Sequence, residues 1–496
     1  SENFRKVFAK LDKCENEVDI KFGMRTGDND RFLRQWFEVP YTKIGFNVNG
    51  IVDFTEQDLK WLPFVKGGSF RRWYGNHDYV VNWECNGEEI KQSTKENYPD
   101  IDNVIEWKIT NEKDYLREGI TWSRISSSYF GVRKLESGFI FSDAACGAFP
   151  KRNLSNSIGL LCSKVASGSL SFINPTLTYQ VGDIKLIPFV TLDSDEQDVV
   201  NELIPISIDI TRRDWDSYER SWNFQSLPLI EIDNHQQEEL SIAYMSWQGK
   251  IRTEISEMQR LEEQNNRLFI NAYGLQDELS PDVPLEQITL TVNPKYRYGG
   301  KLSDQELENR FQSDTLAELI SYAIGCMMGR YSLDREGLVY AHAGNEGFND
   351  LVKEGAYNTF PADDDGIIPL TDQEWFEDDV TLRFREFVQT VWGKDNLQAN
   401  LDFVAESLCL HAIKPKSNET SLDTIRRYLS AQFYKDHLKT YKKRPIYWLF
   451  SSGKQKAFEC LVYLHRYNES TLARMRTEYV SPLLGKYDAQ ADTLNQ

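Results

Sequence analysis

The sequence predicts an α+β fold: a mixed α/β domain followed by a mostly helical remainder. Three observations carry that expectation. Residues 21–190 are rich in Gly, Ser and aromatics, with short β-branched runs such as Tyr79-Val80-Val81-Asn82-Trp83 set between turn residues. From residue 240 onward, apolar positions recur at three- and four-residue steps, the period of an amphipathic helix. The chain of 496 residues is also longer than one hydrophobic core ordinarily supports, so several domains are expected.

Taken in order, residues 1–20 read as a connector built around a short amphipathic helix, because Phe4, Val7, Phe8 and Leu11 alternate with charges. Residues 21–190 form the mixed domain, in which 158–165 reads as helix. Residues 191–285 form a linker and a long helical spacer. There Leu240, Tyr244, Trp247, Ile251, Ile255, Met258, Asn265 and Phe269 make one stripe, and Gly274 is placed to end the helix. Residues 286–496 form a helical carboxy-terminal domain, with helix expected over 381–413, 422–440 and 454–480. Leu316, Leu319, Ile320, Ala323 and Met327 supply one of its apolar faces.

Composition narrows the function. No apolar run approaches the roughly 18 residues of a membrane span, and the charges between Phe4, Val7, Phe8 and Leu11 predict an amphipathic helix there rather than a secretory leader. The seven cysteines are scattered without zinc-ligand spacing, which predicts reduced thiols in a cytoplasmic protein and no metal site. A net charge of −19 argues against a nucleic-acid partner if it is spread evenly, and it is not. Residues 361–380 carry eight acids and no base and read as a solvated loop, whereas residues 431–490 carry eleven bases against five acids. Local fields decide whether phosphate is accepted.

Basic residues interleaved with aromatics and glycines are the strongest chemical signal. The loop Gly23-Met24-Arg25-Thr26-Gly27-Asp28-Asn29-Asp30-Arg31-Phe32 combines backbone freedom with guanidinium groups. Lys66-Gly67-Gly68-Ser69-Phe70-Arg71-Arg72-Trp73 repeats the combination, and Trp122-Ser123-Arg124-Ile125-Ser126-Ser127-Ser128, Arg133 and Lys151-Arg152-Asn153 extend it. Arg reads guanine bidentately, Asn reads adenine, and Ser or Lys holds phosphate. The expected DNA-contact set is therefore Arg25, Lys66, Arg71, Arg72, Arg124 and Arg133, with Ser69, Ser126, Lys151, Arg152 and Asn153 behind them.

Three further motifs look catalytic and are read as decoys. Residues 138–149 mimic a methyltransferase cofactor loop, with Asp143 and Gly147, but lack the second glycine; no Asn-Pro-Pro-Tyr/Phe tetrapeptide occurs. Pro99-Asp100 with Glu106-Trp107-Lys108 spells a nuclease signature too cramped to meet around Mg²⁺, and reads as a polar turn plus strand. Ser451-Ser452-Gly453-Lys454 lacks the upstream glycine of a phosphate loop and reads as a helix entry capped by Ser452. No catalytic residue and no cofactor-binding residue is assigned.

The same stretches resemble the carboxy-terminal part of the PglX/BrxX family, the adenine-specific DNA methyltransferases of BREX phage-defence systems. Residues 23–32 with Trp36-Phe37-Glu38-Val39, residues 66–76 and Gly119-Ile120-Thr121-Trp122 carry the resemblance in the first part. Asn174-Pro175-Thr176 with Gln180-Val181-Gly182-Asp183-Ile184, and Asp214-Trp215-Asp216-Ser217-Tyr218-Glu219 with Ser221-Trp222-Asn223-Phe224, continue it. Residues 271–279, 443–454 and His465-Arg466-Tyr467 complete it, so it covers about residues 21–485.

The resemblance implies that 21–190 is a DNA target recognition domain. It implies that S-adenosylmethionine and the catalytic motif belong to a methyltransferase domain amino-terminal to this chain, to which residues 1–20 connect. The implied partners are double-stranded DNA, that methyltransferase domain and other BREX proteins, with no membrane; the chain alone would be inactive. Two other readings stay open: residues 200–496 as a docking scaffold for other defence proteins, and a self-contained methyltransferase or nuclease.

Overall fold

The computed structural model describes residues 2–46, 48, 50–126, 128–230 and 239–494. Ser127 of the serine run, and residues 231–238 of the expected linker, lie outside the described residues. The fold is α+β, as expected, with several small sheets and many helices. It divides into two compact units, residues 1–215 with 251–299 and residues 216–250 with 300–496. Residues 251–299 fold with the first 215.

Among the described residues the first unit holds ten strands. They are β1 Asp12–Lys13, β2 Val18–Lys21, β3 Leu33–Gln35, β4 Trp61–Val65, β5 Tyr79–Asn82, β6 Gly119–Ser123, β7 Val132–Leu135, β8 Ile140–Phe141, β9 Ala145–Pro150 and β10 Pro188–Phe189. β1 and β10 form a short antiparallel pair. One four-stranded sheet runs β2-β9-β6-β7, antiparallel throughout. The other runs β3-β5-β4-β8, with β4 and β8 parallel. β4 and β6 are buried along their whole length, which explains why they read as near-continuous apolar runs rather than alternating ones. Trp83 and Trp122 are fully buried between the elements, and the Trp122 indole nitrogen donates to the Tyr179 carbonyl at 3.0 Å.

The helix expected over 158–165 is two helices, Leu154–Cys162 and Lys164–Ile173, broken at Ser163. The Ser163 hydroxyl accepts from the Ala166 amide, capping the second. The long stripe forms the helix Leu240–Ala272, and Gly274 follows it at φ +64°. The division between the units falls within this helix. Asp100 lies in a turn, and Glu106 and Lys108 belong to the short helix Val104–Lys108 where a strand was expected.

The second unit packs the helices Asp304–Met327, Val380–Trp392, Leu397–His411 and Ser421–Tyr428 around Tyr322, Phe384, Trp392 and Tyr428. A three-stranded sheet of β11 Ile367–Pro369, β12 Tyr447–Ser451 and β13 Glu459–Tyr463 runs in the order β11-β13-β12. This sheet corrects two expectations. Residues 459–463 are its central strand rather than helix, and helix resumes only at Thr471–Arg474. Ser452 sits in the hairpin between β12 and β13, where Ser451 pairs with Glu459, so it caps no helix.

The acidic run is only half solvated. Asp379 is buried, caps the helix Val380–Trp392 through the Thr381 amide and holds the Arg426 guanidinium at 2.9 Å. Asp365 is buried, and Asp363 accepts the amides of Asp365 and Gly366 at 3.0 and 2.6 Å. The Tyr479 hydroxyl donates to Asp378 at 2.7 Å. Among the described residues no helix is long and apolar enough to cross a membrane, and no group of three His, Cys, Asp or Glu is placed to hold a metal.

Candidate nucleic-acid interface

Four chain segments converge where the two sheets of the first unit meet. β4 and β8 run parallel, with Val65 opposite Phe141, and Lys66-Gly67-Gly68 leaves β4 at that end. Met24 bridges Ser142 on the other side: its amide donates to the Phe141 carbonyl at 2.9 Å, and its carbonyl accepts from the Asp143 amide. Gly23 makes this approach possible, because a Cβ there would lie 2.1 Å from the Phe141 carbonyl oxygen. The fourth segment is Ser123-Arg124: the Arg124 amide donates to the Ala144 carbonyl at 2.9 Å. The Ser123 hydroxyl accepts from the Gly68 amide and donates to the Gly68 carbonyl, each at 3.1 Å. Gly67 has φ +87°, a conformation that a side chain would strain.

This convergence brings together Arg25, Lys66 and Arg124 from the expected contact set. Arg25 Nε lies 3.2 Å from Asp143 Oδ2, and Arg124 Nη2 lies 3.8 Å from the same oxygen. The Arg25 side chain is 43% exposed and its guanidinium approaches the exposed Trp107 ring at 5.8 Å. Lys66 Nζ sits 4.9 Å from the Tyr79 ring centroid, and its pKa is lowered by partial burial, with Asp30 opposing the shift. Ser69 is exposed beside them, its carbonyl accepting from Asn76 Nδ2. Ser126 is buried and turned into its own loop, donating to the Tyr129 carbonyl at 2.9 Å. Asp143 came to notice only as part of a failed cofactor loop, and Trp107 only inside a failed nuclease motif. Neither string reveals that the chain folds them against Arg25.

Arg71, Arg72 and Arg133 are placed elsewhere, in the interior of the unit. Arg71 Nη1 pairs with Asp214 at 3.3 Å and Nη2 donates to Thr291 at 2.7 Å, with the Trp215 ring 5.0 Å away. Arg72 Nη1 pairs with Glu262, which also accepts from the Trp73 indole nitrogen at 2.8 Å. These two arginines tie the 66–76 loop to the helices Ser194–Asp216 and Leu240–Ala272 and to residues 287–291. Arg133 is 1% exposed, and burial beside Arg71 lowers its pKa to about 10. A guanidinium so placed reaches no phosphate at the surface. Glycine and aromatic neighbours signal a close-packed loop as readily as a binding one, which is why the sequence did not separate the two groups.

Lys151, Arg152 and Asn153 form a third group at the far end of β9. Six residues of extended chain separate Lys151 from Ala145, about 20 Å at strand rise. Lys151 Nζ donates to the Asn16 carbonyl, Arg152 is 82% exposed and lies 3.7 Å from Glu17, and Asn153 caps the helix Leu154–Cys162.

Comparison with known proteins matches nearly the whole chain. The chain is 46% identical over 473 residues to "Adenine-specific methyltransferase BrxX" of Escherichia coli O9:H4 (strain HS), a match covering 95% of this chain and 37% of the relative. It is 37% identical over 483 residues to "Adenine-specific methyltransferase PglX" of Lacticaseibacillus casei (strain Zhang), covering 96% of this chain and 37% of the relative. The chain thus spans little more than a third of the length of the curated relatives it matches. No family model matches it.

Proposed function

We propose that this chain supplies sequence-specific recognition of double-stranded DNA to an S-adenosylmethionine-dependent adenine-N6 methyltransferase of a BREX phage-defence system, acting in the cytoplasm. In this reading the cofactor loop and the catalytic motif lie in a methyltransferase domain outside these residues. The partners are the DNA duplex, that domain and other BREX proteins. Similarity to two adenine-specific methyltransferases over nearly the whole chain supports the enzyme class.

The observation that carries the DNA-facing role is the convergence of Arg25, Lys66 and Arg124 on one end of the two sheets, with Asp143 between the arginines. A partly exposed ion pair is worth about 0–1 kcal/mol, so a phosphate displaces Asp143 from either arginine at little cost. Backbone freedom at Gly67-Gly68 and the exposed Ser69 add close-approach donors. The acidic run, part of the docking-scaffold alternative, presents only Asp364, Asp372, Glu374 and Glu377 fully to solvent.

Duplex affinity measured across a salt series tests the reading. Binding should weaken linearly with log salt, and the double variant Arg25→Ala, Arg124→Ala should lower the slope by about 2, one for each phosphate contact removed. Absence of duplex binding, or an unchanged slope in a folded double variant, contradicts it.

A further inference from the structure

A cavity of about 270 Å³ is lined by Ser128 and Tyr129 of the loop that follows Arg124, and by Tyr179, whose amide donates to the Arg124 carbonyl at 2.7 Å. Its walls are Tyr129, Phe130 and Tyr179, with Lys164, Ser167 and Leu170 from the helix Lys164–Ile173. The Phe130 and Tyr179 rings meet at 4.9 Å, and the Tyr129 ring is braced edge-on by Phe70 at 5.4 Å. Ile125 and Thr178 bridge antiparallel, and the Ser126 amide donates to the Leu177 carbonyl, so the chain on either side of the lining residues Ser128 and Thr176 is paired. Ile125 is 65% exposed, Leu177 53% and Tyr129 45%. Asn174-Pro175-Thr176, conspicuous in the sequence, forms the rim as a turn in which Asn174 Oδ1 accepts from both the amide and the hydroxyl of Thr176.

The chemistry of the lining narrows the occupant. Among the described residues no acid lines the cavity, and the cations that line it are Arg72 and Lys164. Arg72 is committed to Glu262. Lys164 is half-buried, and among the described residues no hydrogen bond or ion pair closes on its Nζ; Glu262 and Asp282 act on it only at longer range. The exposed Tyr129 face beside an uncommitted cation suits a planar ring that carries a phosphate. At this volume the site lies just below the range of drug-sized pockets, so it takes one ring system rather than an extended ligand.

We propose that this cavity receives one nucleotide unstacked from the duplex, its base on the exposed Tyr129 ring, with the buried Phe130 and Tyr179 behind as walls, and its phosphate on Lys164. The inference rests on the reading of this chain as a duplex-gripping protein. A nucleotide already out of the stack avoids the few kcal/mol of unstacking, so it is the natural probe.

The experiment compares affinity for a matched duplex with that for the same duplex carrying a single-nucleotide bulge, with 2-aminopurine as the bulged base. The bulge should bind at least tenfold more tightly, and its fluorescence should fall as the base stacks on the Tyr129 ring. Tyr129→Ala and Lys164→Gln, each checked for an unchanged melting temperature, should bring the affinity ratio towards one. Arg25→Ala with Arg124→Ala should weaken both duplexes alike and leave the ratio high. Equal affinity for the two duplexes, or a preference that survives both pocket substitutions, overturns the nucleotide pocket alone. Failure to bind either duplex overturns the pocket together with the duplex-gripping reading beneath it.

Discussion

At the residue scale, the interior arginines behave as structural ions. Arg72 and Glu262 are 6% and 2% exposed in their side chains, so removing one partner strands the other charge in the core. Arg72→Ala should therefore destabilise the first unit by about 3–5 kcal/mol, seen as a lower melting temperature, before any effect on a ligand is read. Glu219 makes a pH-dependent contribution in the second unit. Burial pushes its carboxyl up to about 7, against the opposing pull of the Tyr441 hydroxyl at 2.8 Å and of Arg330. The folded state holds that proton more tightly than the unfolded chain. The contribution is complete below about pH 4.5 and is lost as pH rises through about 7. Glu219→Gln should gain on the order of 2 kcal/mol over the wild type at pH 8 and little at pH 5, measured by chemical denaturation of the second unit. His437 acts in the opposite sense. Its Nε2 accepts the amides of Ile446 and Tyr447 at 3.1 Å each, and burial with the nearby Arg330 lowers its pKa to about 3. That neutral imidazole stabilises fully above its ordinary pKa of about 6.5, and the stabilisation is lost as pH falls towards 3. Acid melting between those limits should flatten in a folded His437→Gln variant.

At the element scale, the convergence of segments 23–25, 66–68, 123–124 and 142–144 depends on a glycine. A side chain at Gly23 would force the Met24 segment off Phe141, so Gly23→Ala should cost about 1–3 kcal/mol and displace Arg25. The check is a melting curve together with loss of the Arg25 contribution to the salt slope. Elements with a long period were legible from sequence: the stripe from Leu240 to Phe269 predicted the helix Leu240–Ala272 closely. Short apolar runs were not. Glu459-Cys460-Leu461-Val462-Tyr463 forms a central strand because β11 and β12 flank it, and five residues carry no period that tells strand from helix. The site was legible in part for the same reason. Arg25, Lys66 and Arg124 share no local pattern; the pairing of β4 with β8, the Met24–Ser142 bridge and the Arg124–Ala144 hydrogen bond together bring them to one end. Arg71 and Arg72 looked equally exposed in the string, because their partners Asp214 and Glu262 lie about 140 and 190 positions away.

At the scale of the whole molecule, net charge is a poor guide to partner. The chain carries −19, yet three cations gather at the end of one pair of sheets, and the acidic run that contributes to that sum turns four of its carboxylates into the fold. Capping, ion pairing and amide acceptance by Asp379, Asp378, Asp365 and Asp363 make this acidity structural in the second unit. The seven cysteines are all free thiols; Cys14, Cys146 and Cys162 are pushed up to about 12 by burial, which keeps them protonated. Selection of preferred duplexes from a randomised library at near-physiological salt, run with the wild type and with Arg25→Ala, Arg124→Ala in parallel, tests the proposed recognition role most directly. The account predicts enrichment of one asymmetric adenine-containing site by the wild type, lost in the double variant while its melting temperature is unchanged. Binding without enrichment, no binding, or the same enriched site from a folded double variant would contradict it.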